Sequence, residues 1–167
     1  MEYRARWQNG VLRLITNTPP ELSELETVIV SIERGRSDAT HRHQFAWVND
    51  AWLNLPEEHR DQPWAETAET LRKHALIATG FHQTYTLDCG GNATAQRIKG
   101  ALVAAEARGH GYAIGRVRGT VLTIWTPESQ SYRAMGGERF KASKAAIMEW
   151  IAEKLGVTSD DLRRAAA

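Results

Sequence analysis

The sequence predicts an α+β fold: one domain of mainly antiparallel strands packed with amphipathic helices, in the order βββ-αα-β-α-ββ-α. Three observations carry the prediction. Alternating stretches meet at Asn9-Gly10 and again at Arg118-Gly119, which are hairpin signals. Four other segments repeat apolar residues at steps of three and four, the spacing of a helix with one buried face. Finally, 167 residues, 42% of them hydrophobic, are enough to close a core.

The elements follow in order. Tyr3-Arg4-Ala5-Arg6-Trp7 alternates, Asn9-Gly10 offers a type I′ turn, and Val11-Leu12-Arg13-Leu14-Ile15 returns. Thr18-Pro19-Pro20 breaks the run. Residues 27–33 alternate Val28, Val30 and Ile32 against Ile29 and Ser31, a third strand. Ser37, Asp38 and Thr40 are candidate N-caps for a helix over 41–55, with Phe45, Val48, Trp52 and Leu55 inward. Pro56 stops it, and 57–63 reads as a solvated acidic loop.

A second helix spans 65–79, with Ala68, Leu71, Ala75 and Ala78 inward and Gly80 closing it. Residues 81–88 form a fourth strand, and Cys89-Gly90-Gly91-Asn92 a turn. The helix over 93–108 packs through Ile98, Leu102 and Ala105 and ends at Gly109. The hairpin over 111–126 turns at Arg118-Gly119, leaving Trp125 for the core. A flexible polar loop, 129–137, leads into a last helix over 138–155, which buries Phe140, Ile147, Ile151 and Leu155 before Gly156 caps it. The domain is expected over 1–156, with a flexible tail over 157–167.

Composition excludes some classes. No apolar run approaches the roughly 20 residues of a membrane span, and the N-terminus lacks the apolar core of a signal peptide. The single cysteine, Cys89, forms no internal disulfide and holds no zinc alone, so a reducing cytoplasm is expected.

The net charge of +1 hides an uneven distribution. Residues 45–71 hold six acids and one base, whereas residues 108–144 hold seven bases and two acids. Arginine outnumbers lysine 16 to 5, and arginine suits bidentate phosphate contacts and stacking on bases. The pattern predicts one acidic and one basic face.

Two constellations follow from it. The first is Arg34-Gly35-Arg36-Ser37-Asp38-Ala39-Thr40-His41-Arg42-His43, where a strand gives way to a helix N-terminus that favours an anion. The alternative is a polar cap with solvated arginines. The second is Arg116-Val117-Arg118, continued by Arg133, Arg139, Lys141 and Lys144. Here Trp125 and Tyr132 offer surfaces for base stacking, unless Trp125 is core and the arginines are an ordinary solvent face.

Catalytic arrangements are weaker. His41 and His43 fall on different helix faces and do not chelate as a unit. His82 near Asp88 and Cys89 invites a Cys-His nucleophile reading, but a cysteine before a turn is more often a small buried residue. No catalytic residue, metal ligand or cofactor is expected.

The run Val28-Ile29-Val30-Ser31-Ile32-Glu33-Arg34-Gly35-Arg36-Ser37, with Arg42 and Phe45 after it, resembles the signature region of the NinB/Orf family of lambdoid phages. In that family a strand runs into an Arg-Ser motif and then a helix beginning Gln-Asn-Arg. Ser129-Gln130-Ser131, Met135 and Phe140 resemble its Ser-x-Ser…Met…Phe segment. Thr40 and His41 stand where the family has Gln-Asn, and the Met135–Phe140 spacing differs slightly. The resemblance implies a recombination accessory protein that binds single-stranded DNA without cleaving it. It also implies a homodimer that engages the host single-strand-binding protein.

The expected nucleic-acid contacts are Arg34, Arg36, His41, Arg42, Arg116, Arg118, Ser129, Ser131, Arg133, Arg139, Lys141 and Lys144. Two other classes remain open. One is an adaptor or inhibitor of a host protein, working through the acidic stretch 50–69. The other is a metal-dependent nuclease using His41, His43 and nearby acids.

Overall fold

Asn9 and Gly10 turn the chain with positive φ at both positions, 51° and 79°. A type I′ turn demands this geometry, and this dipeptide tolerates it best. The turn joins β1 (Ala5–Gln8) to β2 (Val11–Leu14), with Gln8 opposite Val11. This computed structural model describes residues 5–14, 38–131 and 134–158, with side chains over 8–13, 44–131 and 134–158. The strand expected at 27–33 and the end of the tail, 159–167, lie outside the described residues. The chain divides into two compact units, residues 1–34 and 35–167. The first holds the hairpin. The fold class is α+β, as expected.

The helical core starts with α1 (Asp38–Leu53), whose inward residues are Gln44, Trp47, Val48 and Ala51, with Leu55 just beyond its end. Phe45, expected inside, is 46% exposed. Gln44 holds the inward position next to it because its amide is hydrogen-bonded to Gln130. The expected 57–63 loop is instead a single turn, α2 (Glu57–Arg60), followed by a 3-10 turn at Pro63–Ala65 that buries Trp64. The indole N–H of Trp52 donates to the Ala65 carbonyl at 2.7 Å and fixes that turn against α1.

α3 (Ala68–Ala78) starts three residues later than periodicity alone places it, because Thr67 is the cap. The Thr70 amide donates to Thr67 Oγ1 at 3.0 Å and the Thr67 amide to Thr70 Oγ1 at 2.9 Å, a reciprocal box that satisfies two otherwise free donors. Leu71, Ala75 and Leu76 are fully buried, whereas Ala78, expected inward, is exposed. They pack against Trp47, Val48 and Leu55 and against Ile147, Met148 and Ile151 of α5 (Gly137–Leu155). Each such aliphatic residue contributes about 1.5–3 kcal/mol through burial.

Beside this core lies a three-stranded sheet of order β3-β5-β4, built from β3 (His82–Asp88), β4 (Ile114–Arg118) and β5 (Val121–Pro127). Both neighbouring pairs are antiparallel. β4 and β5 are joined by Gly119-Thr120, one residue later than expected, since Arg118 still pairs with Val121. Gly119 alone takes positive φ there (64°), the signature of a type II′ turn.

Between β3 and β4 runs α4 (Asn92–His110), which begins one residue earlier and ends two later than expected. Gly111, at φ 74°, is its left-handed cap, and a Cβ there would stand 2.0 Å from Lys73 Nζ. Ala105, expected inward, is exposed; Ala95 is buried, with Ile98, Leu102 and Val103 half-buried. The N-terminus of α4 is pinned to the sheet: Asn92 Nδ2 donates to the Gly119 carbonyl at 3.0 Å, and the Cys89 amide to the Thr120 carbonyl at 2.9 Å. No helix of the described residues is long and apolar enough to cross a membrane.

Candidate functional site

Successive residues of a strand point to opposite faces, so the register settles which side chains share a face. Gly115 pairs with Ile124, and its missing Cβ points at α4, where it would meet Val103 Cγ2 at 2.4 Å and Lys99 Cγ at 3.4 Å. The face carrying Gly115, Leu122, Ile124 and Thr126 is therefore the one that α4 covers. Leu122, Ile124 and Thr126 are buried accordingly.

The opposite face carries Thr84 and Thr86 of β3, Val121, Thr123 and Trp125 of β5, and Ile114, Arg116 and Arg118 of β4. Thr84, Thr86, Arg116 and Arg118 are exposed, and Thr123 and Trp125 half-buried. Trp125, expected in the core, thus stands on the central strand between Thr84 and Ile114. Among the described residues neither arginine has an ion-pair partner. The acid on this face is Asp88 at its corner. The Gly90 amide, at 2.9 Å, and the Thr120 hydroxyl hold its carboxyl below the usual range. The face thus combines a flat aromatic ring, three threonine hydroxyls and two free guanidiniums.

A second polar place is a cleft of about 320 Å³ lined by Phe45, Glu69, Arg72, Lys73, His110 and the stretch 127–131. At its base Arg72, only 7% exposed, donates to Glu69 through Nε at 2.9 Å and Nη2 at 2.7 Å, and to Gln130 through Nη1. Gln130 in turn accepts from Gln44 Nε2 at 3.2 Å and donates to Ser143 at 2.8 Å. Burial would raise the Glu69 pKa, but Arg72 and then Lys73 outweigh it and hold the carboxyl below its ordinary value. One acid, Glu69, thus meets two bases, Arg72 and Lys73, and the network ties α1, α3 and α5 to Gln130. Gln130 and Met135 are buried, so the 129–137 loop is anchored rather than simply solvated.

The expected contact residues separate. Arg34, Arg36 and Arg133 lie outside the described residues, as does Tyr132. His41 and Arg42 lie in α1 with side chains outside them. Arg116 and Arg118 stand on the open sheet face. Ser129 and Ser131 rim the cleft and bond to each other, Oγ to Oγ at 3.2 Å. Arg139 is held by Glu128 in a bidentate pair, Nε to Oε2 at 2.7 Å, and lies 5.0 Å from the centre of the Phe81 ring. The Arg139 hydrogen bond holds the Glu128 carboxyl below its usual range. Lys141 pairs with Glu138 at 2.9 Å, and Lys144 is half-buried.

Strand β5 separates these groups. Arg118 pairs with Val121 at one end, while Glu128 and Ser129 follow Pro127 at the other, with Val121 and Pro127 about 20 Å apart at strand rise. Among the described residues, Arg118 therefore stands at the opposite end of β5 from Arg139, which Glu128 holds. Reasoning from sequence missed Thr84 and Thr86, for which the alternation of polar residues along 82–88 is the available signal, and Thr123, which alternates with Leu122 and Ile124 in β5.

In the acidic stretch, Asp50, Glu57, Glu58, Asp61 and Glu66 are exposed. Among the described residues no three His, Cys, Asp or Glu side chains gather as metal ligands would. No family model, curated protein or solved structure matches the chain significantly.

Proposed function

We propose that this chain binds single-stranded DNA, without cleaving it, on the sheet face opposite α4. The observation that supports the reading is the placement of Arg116, Arg118 and Trp125 on one face, with no ion-pair partner for either arginine among the described residues. Stacking of a base on an aromatic ring contributes about 1–3 kcal/mol and tolerates any sequence. Flanking arginines neutralise phosphates, and the threonine hydroxyls donate hydrogen bonds to them. A shallow open sheet suits splayed bases; a duplex is read by a helix or ribbon inserted in a groove. The NinB/Orf resemblance points the same way, and the lone free cysteine fits a cytoplasmic location.

Fluorescence anisotropy with labelled oligonucleotides tests the proposal. Single-stranded DNA is expected to bind at low salt more tightly than the matching duplex, and Trp125→Ala to weaken it by about 1–3 kcal/mol. Absence of binding at low salt, or a preference for duplex or RNA, contradicts it.

A further inference from the structure

The two edges of the sheet differ in how they are protected. A free edge invites another strand, and chains usually blunt it with charge, proline, a bulge or a covering element. β4 is blunted, with Arg116 and Arg118 on one side and α4 over the other. β3 is not. Its sequence, His82-Gln83-Thr84-Tyr85-Thr86-Leu87-Asp88, contains no lysine, arginine, proline or glycine, and its register with β5 runs unbroken over seven residues. Every residue from Gln83 to Asp88 is exposed, and Tyr85 and Leu87 are each 48% exposed on the face that α4 shields at the other edge.

The orientation of the free backbone groups follows from the ladder. The Glu128 amide donates to the Phe81 carbonyl and the Cys89 amide to the Thr120 carbonyl, so the odd-numbered residues bond to β5. Alternation in an antiparallel pair then turns the N–H and C=O groups of Thr84 and Thr86 outward. Among the described residues nothing pairs with them.

We propose that β3 pairs antiparallel with β3 of a second copy about a two-fold axis at Tyr85. The strand is complementary to itself in that register. Thr84 faces the partner's Thr86, His82 the partner's Asp88, Gln83 the partner's Leu87, and Tyr85 the partner's Tyr85. Threonine pairs and aromatic pairs are cross-strand contacts that stabilise a sheet, the His82 ring is placed to hydrogen-bond the partner's Asp88 carboxylate, and no like charges meet. Sliding by two residues either way shortens the ladder from seven residues to five and parts His82 from Asp88. The axis stands perpendicular to the sheet, so the product has six strands, both α4 helices on one face and both open faces on the other. The proposal does not depend on the nucleic-acid reading.

Sedimentation equilibrium of the full chain, free of nucleic acid, tests it. A dimer is expected at micromolar concentration. Thr86→Pro removes an outward N–H, and Tyr85→Lys sets two ammonium groups face to face. Each is expected to weaken association by about tenfold or more, with an unchanged circular dichroism spectrum. In a Cys89→Ser background, Tyr85→Cys is expected to cross-link two chains on mild oxidation, because facing residues at a non-hydrogen-bonded position are close. Gln83→Cys is expected not to. A monomer at all concentrations, a dimer that neither Thr86→Pro nor Tyr85→Lys weakens, or equal cross-linking through Gln83→Cys overturns the proposal.

Discussion

Gly115 faces Val103 so closely that a Cβ on the glycine would stand 2.4 Å from Val103 Cγ2. That contact brings α4 onto one face of the sheet and thereby leaves Arg116, its neighbour in sequence, on the other. A valine side chain is stiff and yields little. Gly115→Ala is therefore expected to destabilise the protein by about 1–3 kcal/mol, the usual cost of overpacking. An unchanged denaturation midpoint would mean that α4 does not hold the sheet as described.

The Arg72–Gln130 network makes a contrasting pair of predictions. Gln130→Leu removes the acceptor for Arg72 and the donor to Ser143, both buried. Its expected cost is about 2–4 kcal/mol, since the groups left behind keep their desolvation penalty. Gln44→Met gives up one hydrogen bond but also removes a buried oxygen, Oε1, that has no partner. Its expected effect is within about 1 kcal/mol. Urea unfolding of both variants separates the cases, and equal losses would contradict the network.

Acid sensitivity follows from His74. Burial, with Lys154 adding to it, lowers its pKa from 6.5 to about 4, and the Tyr112 hydroxyl lies 3.0 Å from its Nδ1. The unfolded chain therefore takes up a proton before the folded one does. Stability is complete above pH 6.5 and falls as the pH drops toward 4. The expected loss is about 1–2 kcal/mol, discounted for partial exposure of the ring. Glu69, held low by Arg72 and Lys73, adds a further loss in the acid range. Unfolding free energies at pH 7.5 and pH 5 check this; His74→Phe is expected to flatten the slope between them.

These examples show what was legible in the sequence. Asn9-Gly10 names its own turn because few residue pairs accept two positive φ values, and the apolar stripes of α3 and α5 place most of the core. The inward face of α1 was harder to read. Phe45 lies outside with the Arg72 guanidinium 5.2 Å from its ring centre, and Gln44 lies inside because a partner 86 residues away receives its amide. Periodicity carries no trace of a distant partner. The site was legible only in part for the same reason. Arg116, Arg118 and Trp125 follow from alternation along one hairpin, whereas their company with Thr84 and Thr86 depends on the strand order β3-β5-β4, which sets the sequence-distant β3 beside β5.

Salt dependence separates binding of single-stranded DNA through Arg116 and Arg118, as proposed, from binding elsewhere on the chain. For a single strand, each neutralised phosphate contributes roughly 0.7 to the slope of log K against log salt. Replacing both arginines with alanine is expected to weaken binding and to reduce that slope by about 1.4. An unchanged slope, with affinity retained, would contradict the account.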